Sequence, residues 1–236
     1  MADEIARAKA AAARRAVERC VTDASRLALG TGSTADAAVR AIAAAFPGTR
    51  FDCVASSRAT EELARSLGLA VRPLAADDRF DVMIDGADEV SPRLDLTKGG
   101  GGALFREKLL AHLARELVIV VDESKLVPAL GTRSRIPVEV VPFARPALER
   151  EFATDGFRVS VRTAAGGAPF ATDNGNQILD LVPPGPLTDP GATARALRER
   201  IGVVETGLFV GMARRVFVGR ADGRVDERTA GRPGSP

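Results

Sequence analysis

Tryptophan and tyrosine are absent from the 236 residues, and the 4% aromatic content is phenylalanine alone. The chain therefore has no aromatic platform on which single-stranded nucleic acid could stack. An excess of one charge is missing too. Lys and Arg number 33 against 31 Asp and Glu, a net +2 that is too even for a nucleic-acid surface. Only two cysteines occur, Cys20 and Cys53, with no CxxC spacing and no histidine cluster nearby. Two reduced, packed thiols are expected, not a disulfide or a metal site. The one histidine, His112, has no acids at ligand spacing and reads as structural or exposed. No apolar run approaches membrane-spanning length. Met1 to Arg15 is charged and alanine-rich, without the apolar core of a signal peptide. A cytoplasmic protein with no nucleic-acid or membrane partner is the expectation, and no internal repeat is visible.

What is present is the composition of a globular chain, 45% hydrophobic and 27% charged, long enough for one large or two smaller domains. Residues 3–20 read as an alanine-rich helix with Asp3 and Glu4 in its first turn. Residues 25–29 form a candidate strand, leading into Gly30-Thr31-Gly32-Ser33-Thr34-Ala35 and a helix to about Phe46. Residues 50–55 read as a strand, 57–67 as a helix closed by Gly68, and 69–74 as a short edge strand. Phe80 to Ile84 and the β-branched run Leu117 to Val121 read as buried parallel strands. This alternation predicts an α/β fold, a Rossmann-like doubly wound and mostly parallel sheet, over residues 1–127. Pro128, Gly131 and Pro137 mark a boundary. Residues 128–202 then read β-α-β-β-α, a smaller α+β domain with an antiparallel sheet of ferredoxin- or ACT-like kind. Residues 203–220 read as strands returning to the first domain, and 221–236 as a frayed Arg-, Gly- and Pro-rich tail.

Chemistry concentrates in Asp85 to Lys108, DGADEVSPRLDLTKGGGGALFREK. Asp85 and Asp88 fall just beyond the carboxyl end of a strand, where open α/β sheets place their ligands. Lys98 is followed by Gly99 to Gly102, a run that packs nothing and makes sense where backbone N–H groups must approach oxygen atoms closely. Glu107 shares its helix face with Ala103, Leu104, Leu110 and Ala111. Two readings stay open for it. One is a charge at the stripe's edge, snorkelling or paired with Arg106 or Lys108. The other is an inward acid with a raised pKa and a chemical task.

The turn after the first strand unites free N–H groups, a helix dipole and hydroxyls, as a phosphate site requires. It also fits G-x-G-x-x-A, a dinucleotide fingerprint. That fingerprint wants an acid at the end of the second strand, however. Asp52 lies near the strand's start, and Ser56 and Ser57 occupy its end. The hydroxyls of Thr31, Ser33 and Thr34 suit a terminal phosphate better. A metal-assisted reading would have Asp85, Asp88 and Glu89 hold Mg²⁺.

With these residues on the page, the chain resembles the type A ribose-5-phosphate isomerase family. Seven segments carry the likeness in order: GTGSTA at 30–35, DGADE at 85–89, KGGGGAL-x-REK at 98–108, DESK at 122–125, PVEV at 137–140, TDNGN-x-ILD at 172–180 and ETGLF at 205–209. The resemblance implies an aldose–ketose isomerase that interconverts D-ribose 5-phosphate and D-ribulose 5-phosphate in the pentose phosphate pathway, with no metal or organic cofactor. It implies Glu107 as the base that moves a proton between C1 and C2, with Lys98, Asp85 and Asp88 also catalytic. Substrate-binding residues would be Thr31, Gly32, Ser33 and Thr34; Asp85, Gly86, Ala87 and Asp88; Lys98, Gly99, Gly100 and Gly101; and Lys125. Lys9 would match the N-terminal phosphate lysine of some members. A homo-oligomer, dimer or tetramer, is implied as well. The alternatives are a sugar-phosphate sensor without turnover and a deaminase or lactonase of related fold. Only 29 residues precede the phosphate turn, short for a DNA-binding head beside the first helix.

Overall fold

The computed structural model describes residues 2–231, which divide into two compact units. The first comprises residues up to Ala87, Arg106–Lys125 and those from Met212 onward. The second comprises Asp88–Phe105 and Leu126–Gly211.

The first unit contains α1 (Ala2–Cys20), β1 (Arg26–Leu29), α2 (Ser33–Ala45), β2 (Asp52–Ala55), α3 (Arg58–Ser66) and β3 (Phe80–Asp85). It also holds β6 (Ala114–Asp122), a 3-10 turn at Glu123–Lys125, β12 (Ala213–Gly219) and β13 (Val225–Thr229). Its sheet runs β13-β12-β6-β3-β1-β2. All pairings are parallel except that of β13, which returns antiparallel on β12. The order is doubly wound: from β1 the chain steps outward to β2, then back past β1 to β3 and on to β6. The reversal lies between β1 and β3, where such sheets open a crevice beyond the strands' carboxyl ends.

β6 is buried from Leu117 to Asp122, as its β-branched run requires. Ala12, Ala13, Ala16 and Val17 of α1 are buried in a core shared with Leu27, Val39, Ile42, Val118 and Phe217. The alanines let α1 approach closely. A Cβ on Gly219 would stand 2.1 Å from the carbonyl oxygen of Ala8.

The second unit holds β4 (Glu89–Val90), β5 (Leu96–Thr97), β7 (Ile136–Val140), α5 (Arg145–Thr154), β8 (Arg158–Val161), β9 (Gln177–Val182), α6 (Pro190–Arg198), β10 (Val203–Thr206) and β11 (Leu208–Phe209). One antiparallel sheet has the order β10-β7-β9-β8 and a smaller one β11-β5-β4. Ile136, Val138, Val140, Leu148, Phe152, Leu179, Leu181 and Leu197 build its core. α4 (Leu104–Leu113) begins in this unit and continues into the first.

Several boundaries differ from the expectation. Residues 88–105 belong to the second unit, and the return to the first occurs at residue 212. Val203 to Val210 does not return: β10 pairs with β7, and β11 with β5. A Cβ on Gly207, between them, would sit 2.3 Å from the carbonyl oxygen of Lys98. The frayed tail fails for residues 225–229, whose backbone pairs with β12 in a hairpin; residues 232–236 lie outside the described residues. The strand expected at 69–74 reduces to one bridge, Cys53 to Val71, because Pro73 ends it. Both cysteines are free thiols, and His112 is exposed.

Candidate active site

In the first unit the site begins where β1 stops. Gly30 donates its N–H to the Ile84 carbonyl at 3.0 Å, so the β1 turn lies against the end of β3. Asp85, the last residue of β3 and fully buried, fills the space a side chain at position 30 would need. A Cβ there would meet Asp85 Cγ at 2.1 Å. Asp85 Oδ1 accepts from the Thr31 N–H (3.1 Å) and the Gly86 N–H (2.7 Å). This carboxylate braces both turns at the topological switch point.

Thr31 is held from its other side by hydroxyls. Its Oγ1 donates to Ser57 Oγ (2.9 Å), Ser57 Oγ to Thr60 Oγ1 (3.0 Å), and Thr60 Oγ1 to the Gly30 carbonyl (2.9 Å). Ser56 Oγ lies 2.7 Å from Thr31 Oγ1. Each hydroxyl in the chain both accepts and donates, which polarises its neighbours favourably. Ser57 is also the N-cap of α3, accepting from the Thr60 N–H. Sequence reading placed Ser56 and Ser57 at this strand end but missed their role. The signal was the cap pattern Ser-x-x-Thr facing a threonine in the turn.

Gly32 precedes α2 at φ 104°, a left-handed value that favours glycine, and no side chain caps the helix. Thr34 is buried against Gly86, while Ser33 is exposed. Lys9 reaches this turn from α1. Its Nζ donates to Ser33 Oγ at 3.2 Å and lies 4.0 Å from Asp122 Oδ2. A cation, a helix start and two hydroxyls therefore converge, which is the composition of an anion site. The dinucleotide reading loses its remaining support here. Asp52 starts β2 and is bound by Arg26 and by Arg72, at 3.2 and 2.6 Å.

Glu107 stands in the first turn of α4 with 1% of its surface exposed. Ala103, Leu104, Leu110 and Ala111 are buried beside it, as the apolar stripe predicts. That burial excludes a charge snorkelling at the stripe's edge. Lys125 closes the 3-10 turn after β6 and is half-buried.

In the second unit Lys98 follows β5 and is 2% exposed. Its N–H donates to the Gly207 carbonyl (2.8 Å), and its Nζ lies 5.4 Å from the centre of the Phe209 ring. Gly99 and Gly102 adopt φ of 97° and 85°. Asp88 accepts the Gly100 N–H on Oδ2 at 2.9 Å. Glu89 is fully buried and saturated. Its Oε1 accepts from the Arg133 and Ser134 N–H groups (2.6 and 2.9 Å), and its Oε2 from the Gly131 N–H (2.7 Å) and Thr97 Oγ1 (3.0 Å). The proposed Mg²⁺ triad of Asp85, Asp88 and Glu89 is thereby overturned. Among the described residues no group of three or more His, Cys, Asp or Glu is placed to hold a metal ion. The structure thus collects Thr31 to Thr34, Lys9, Asp85 and Gly86 in one unit, and Asp88 and Lys98 to Gly101 in the other. Glu107 and Lys125 belong to the first.

These features define an α/β protein of doubly wound order, with an anion-ready helix start at the switch point and a buried acid. Residues 52–223 match the model of ribose 5-phosphate isomerase A (phosphoriboisomerase A). The chain belongs to that family. Ribose-5-phosphate isomerase A of Thermomicrobium roseum is 48% identical over 226 residues, 94% of each chain. Ribose 5-phosphate isomerase from Plasmodium falciparum superposes with a TM-score of 0.89 at 33% identity, covering 94% of this chain and 97% of that one. A D-ribose-5-phosphate isomerase solved in complex with phospho-erythronic acid gives 0.88 at 34% identity, with the same coverage.

Proposed function

We propose that this chain interconverts D-ribose 5-phosphate and D-ribulose 5-phosphate by proton transfer, with Glu107 as the base. The observation that carries the reading is a carboxylate 1% exposed in the first turn of a helix that directly follows the glycine run. Aldose–ketose isomerisation needs one group that takes a proton from a carbon and returns it to the next, and a desolvated carboxylate meets that need. Neither a metal nor an organic cofactor is called for.

The remaining roles follow from chemistry. The turn at Thr31, Gly32, Ser33 and Thr34, with Lys9 beside it, binds the phosphate. Binding of that unreactive group positions the sugar. Lys98 and the amides of Gly99 to Gly101 stabilise the enediolate oxygen. Asp85, Gly86, Ala87 and Asp88 orient sugar hydroxyls and assist ring opening, and Lys125 supplies a further contact. The phospho-erythronic acid complex of the 34%-identical relative supports a phosphorylated, anionic ligand.

The test is conversion of ribose 5-phosphate in excess EDTA, with Glu107→Gln alongside. Wild-type activity, and a loss of at least ~10²-fold in the variant with phosphate binding retained, is expected. Near-normal turnover of the variant would remove Glu107 from the chemistry. A silent wild type that still binds the sugar phosphate would favour a sensor or another enzyme of this fold.

The protein acts in the cytoplasm as a homo-oligomer, a dimer or tetramer. Phe143 and Ile201 support this: they are 96% and 95% exposed in the second unit. The Val141 N–H donates to the Gly202 carbonyl at 2.9 Å, which draws their two loops together. No helix among the described residues is long and apolar enough to cross a membrane.

A further inference from the structure

The motif at 172–180 and Arg162, the residue after β8, have no place in the chemistry so far, yet they meet at the glycine run. Arg162 Nη1 donates to the carbonyls of Gly99 (2.7 Å) and Gly100 (3.1 Å). Its Nε donates to Asp180 Oδ2 at 3.0 Å, and its Nη2 donates to Asp180 Oδ1. Asp180 is 5% exposed. The fork is therefore bidentate on one side and grips two successive peptide groups on the other.

In a trans peptide the N–H points opposite to the C=O. With both carbonyls turned to one guanidinium, the N–H groups of Gly100 and Gly101 turn away from it together. Asp88 Oδ2 receives the Gly100 N–H on that opposite side. Gly100 and Gly101 are both exposed; the Gly100 N–H is engaged by Asp88, and the Gly101 N–H is turned away from the guanidinium with it. The hairpin carrying Arg162 is itself fastened. Fully buried Glu139 accepts on Oε1 from Thr172 Oγ1 (3.0 Å), Asn174 Nδ2 (3.0 Å) and Asn176 Nδ2 (2.9 Å). The Phe170 N–H donates to the Arg162 carbonyl (2.8 Å). The Phe170 ring fills the space where Gly102 would carry a Cβ, 2.5 Å away.

We infer that Arg162, held by Asp180, is a positioning residue of the isomerase: it sets the peptide planes of the glycine run so that the Gly100 amide holds Asp88 in place and the Gly101 amide faces the oxygen that becomes negative in the reaction. The inference rests on the proposed isomerase chemistry. It gives the β10-β7-β9-β8 sheet a task, holding the donor loop from its carbonyl side.

The test compares Arg162→Met, Arg162→Lys and Asp180→Asn with the parent protein. For each, kcat and KM are measured, and calorimetry gives the affinities for phospho-erythronic acid and for inorganic phosphate. Arg162→Met is expected to lower kcat about 10–100-fold with little change in KM. Affinity for phospho-erythronic acid, which carries a carboxylate besides its phosphate, should fall with kcat, while inorganic phosphate binds as before. Arg162→Lys should recover part of the loss, and Asp180→Asn should shift the same quantities in the same direction by less. Equal weakening toward both anions would overturn the inference, as would a folded Arg162→Met with kcat within about twofold of the parent. Should Arg162→Met not fold, an Asp180→Asn variant with unchanged kcat and unchanged anion affinities would overturn it as well. The calorimetric result does not require turnover, so failure of ribose 5-phosphate as a substrate is distinguishable from failure of the positioning role.

Discussion

Asp85 shows how much one side chain can organise. Its carboxylate occupies the space left by the missing Cβ of Gly30 and joins the turns after β1 and β3. Gly30→Ala should displace it. Because Asp85 is fully buried and its partners are backbone amides, the displacement should cost about 1–3 kcal/mol in urea unfolding and lower turnover. An unchanged midpoint would contradict the packing. Thr60→Val tests the hydroxyl chain in the same unit. It leaves the Gly30 carbonyl without the Thr60 hydroxyl and Ser57 with one acceptor fewer, and should cost about 1–3 kcal/mol by the same measurement. At this scale the sequence was uneven in what it disclosed. Glu107 was legible because an acid among Leu and Ala at helical spacing breaks the local pattern. Arg162 was not, since an arginine just past a half-exposed strand looks like any solvated residue. Only the fold shows which carbonyls it meets.

Among the elements, the edge beside β2 depends on a charged cluster. Arg72 binds Asp78 through two contacts of 2.6 and 2.7 Å, Ala75 donates its N–H to Asp78 at 2.7 Å, and Arg26 adds a contact at 2.9 Å. The Arg72 bonds, then the Ala75 amide, hold the Asp78 carboxyl well below the usual carboxylate range. Arg72 lowers Asp52 in the same sense. A depressed folded value means that the unfolded chain binds protons first as pH falls. The stabilisation is therefore full above the ordinary aspartate value, about 3.9, and is lost progressively below it. Thermal unfolding should show the midpoint falling from about pH 4 downward, with a shallower fall in Asp78→Asn and a lower midpoint at neutral pH. An equally steep acid limb in the variant would assign the loss to other groups.

Element legibility followed length and burial. β6 was readable from its β-branched run, and the β9 boundaries from the turn residues before it. β4 and β5, two residues each, are too short to show any period. β13 reads VDERT, polar at four of its five positions, and pairs through backbone groups that carry no side-chain signature.

For the whole molecule, the exposed Phe143 and Ile201 make the proposed oligomer testable. Light scattering should give a dimer or tetramer for the parent protein, and Phe143→Ser with Ile201→Ser should shift the mass toward monomer at low concentration. A variant of unchanged mass would place the interface elsewhere. Fold class was the most legible property, because the alternation of buried runs and helices admits few sheet orders. The division of the chain was less so. Residues 88–105 lie between segments of the first unit in sequence yet build their sheet with β11, more than a hundred residues later.

The position of β12 in its sheet has a consequence for the order in which the chain is made. β6 is paired on one side by β3, but its other partner is residues 213–219, synthesised some ninety residues afterwards. Until those residues leave the ribosome, the strand with the longest apolar run in the sheet presents an open edge, the kind of surface on which nascent chains aggregate. Chaperone occupancy should therefore rise once β6 emerges and end only when β12 docks, so that premature termination before residue 213 yields insoluble chains, not a shortened isomerase.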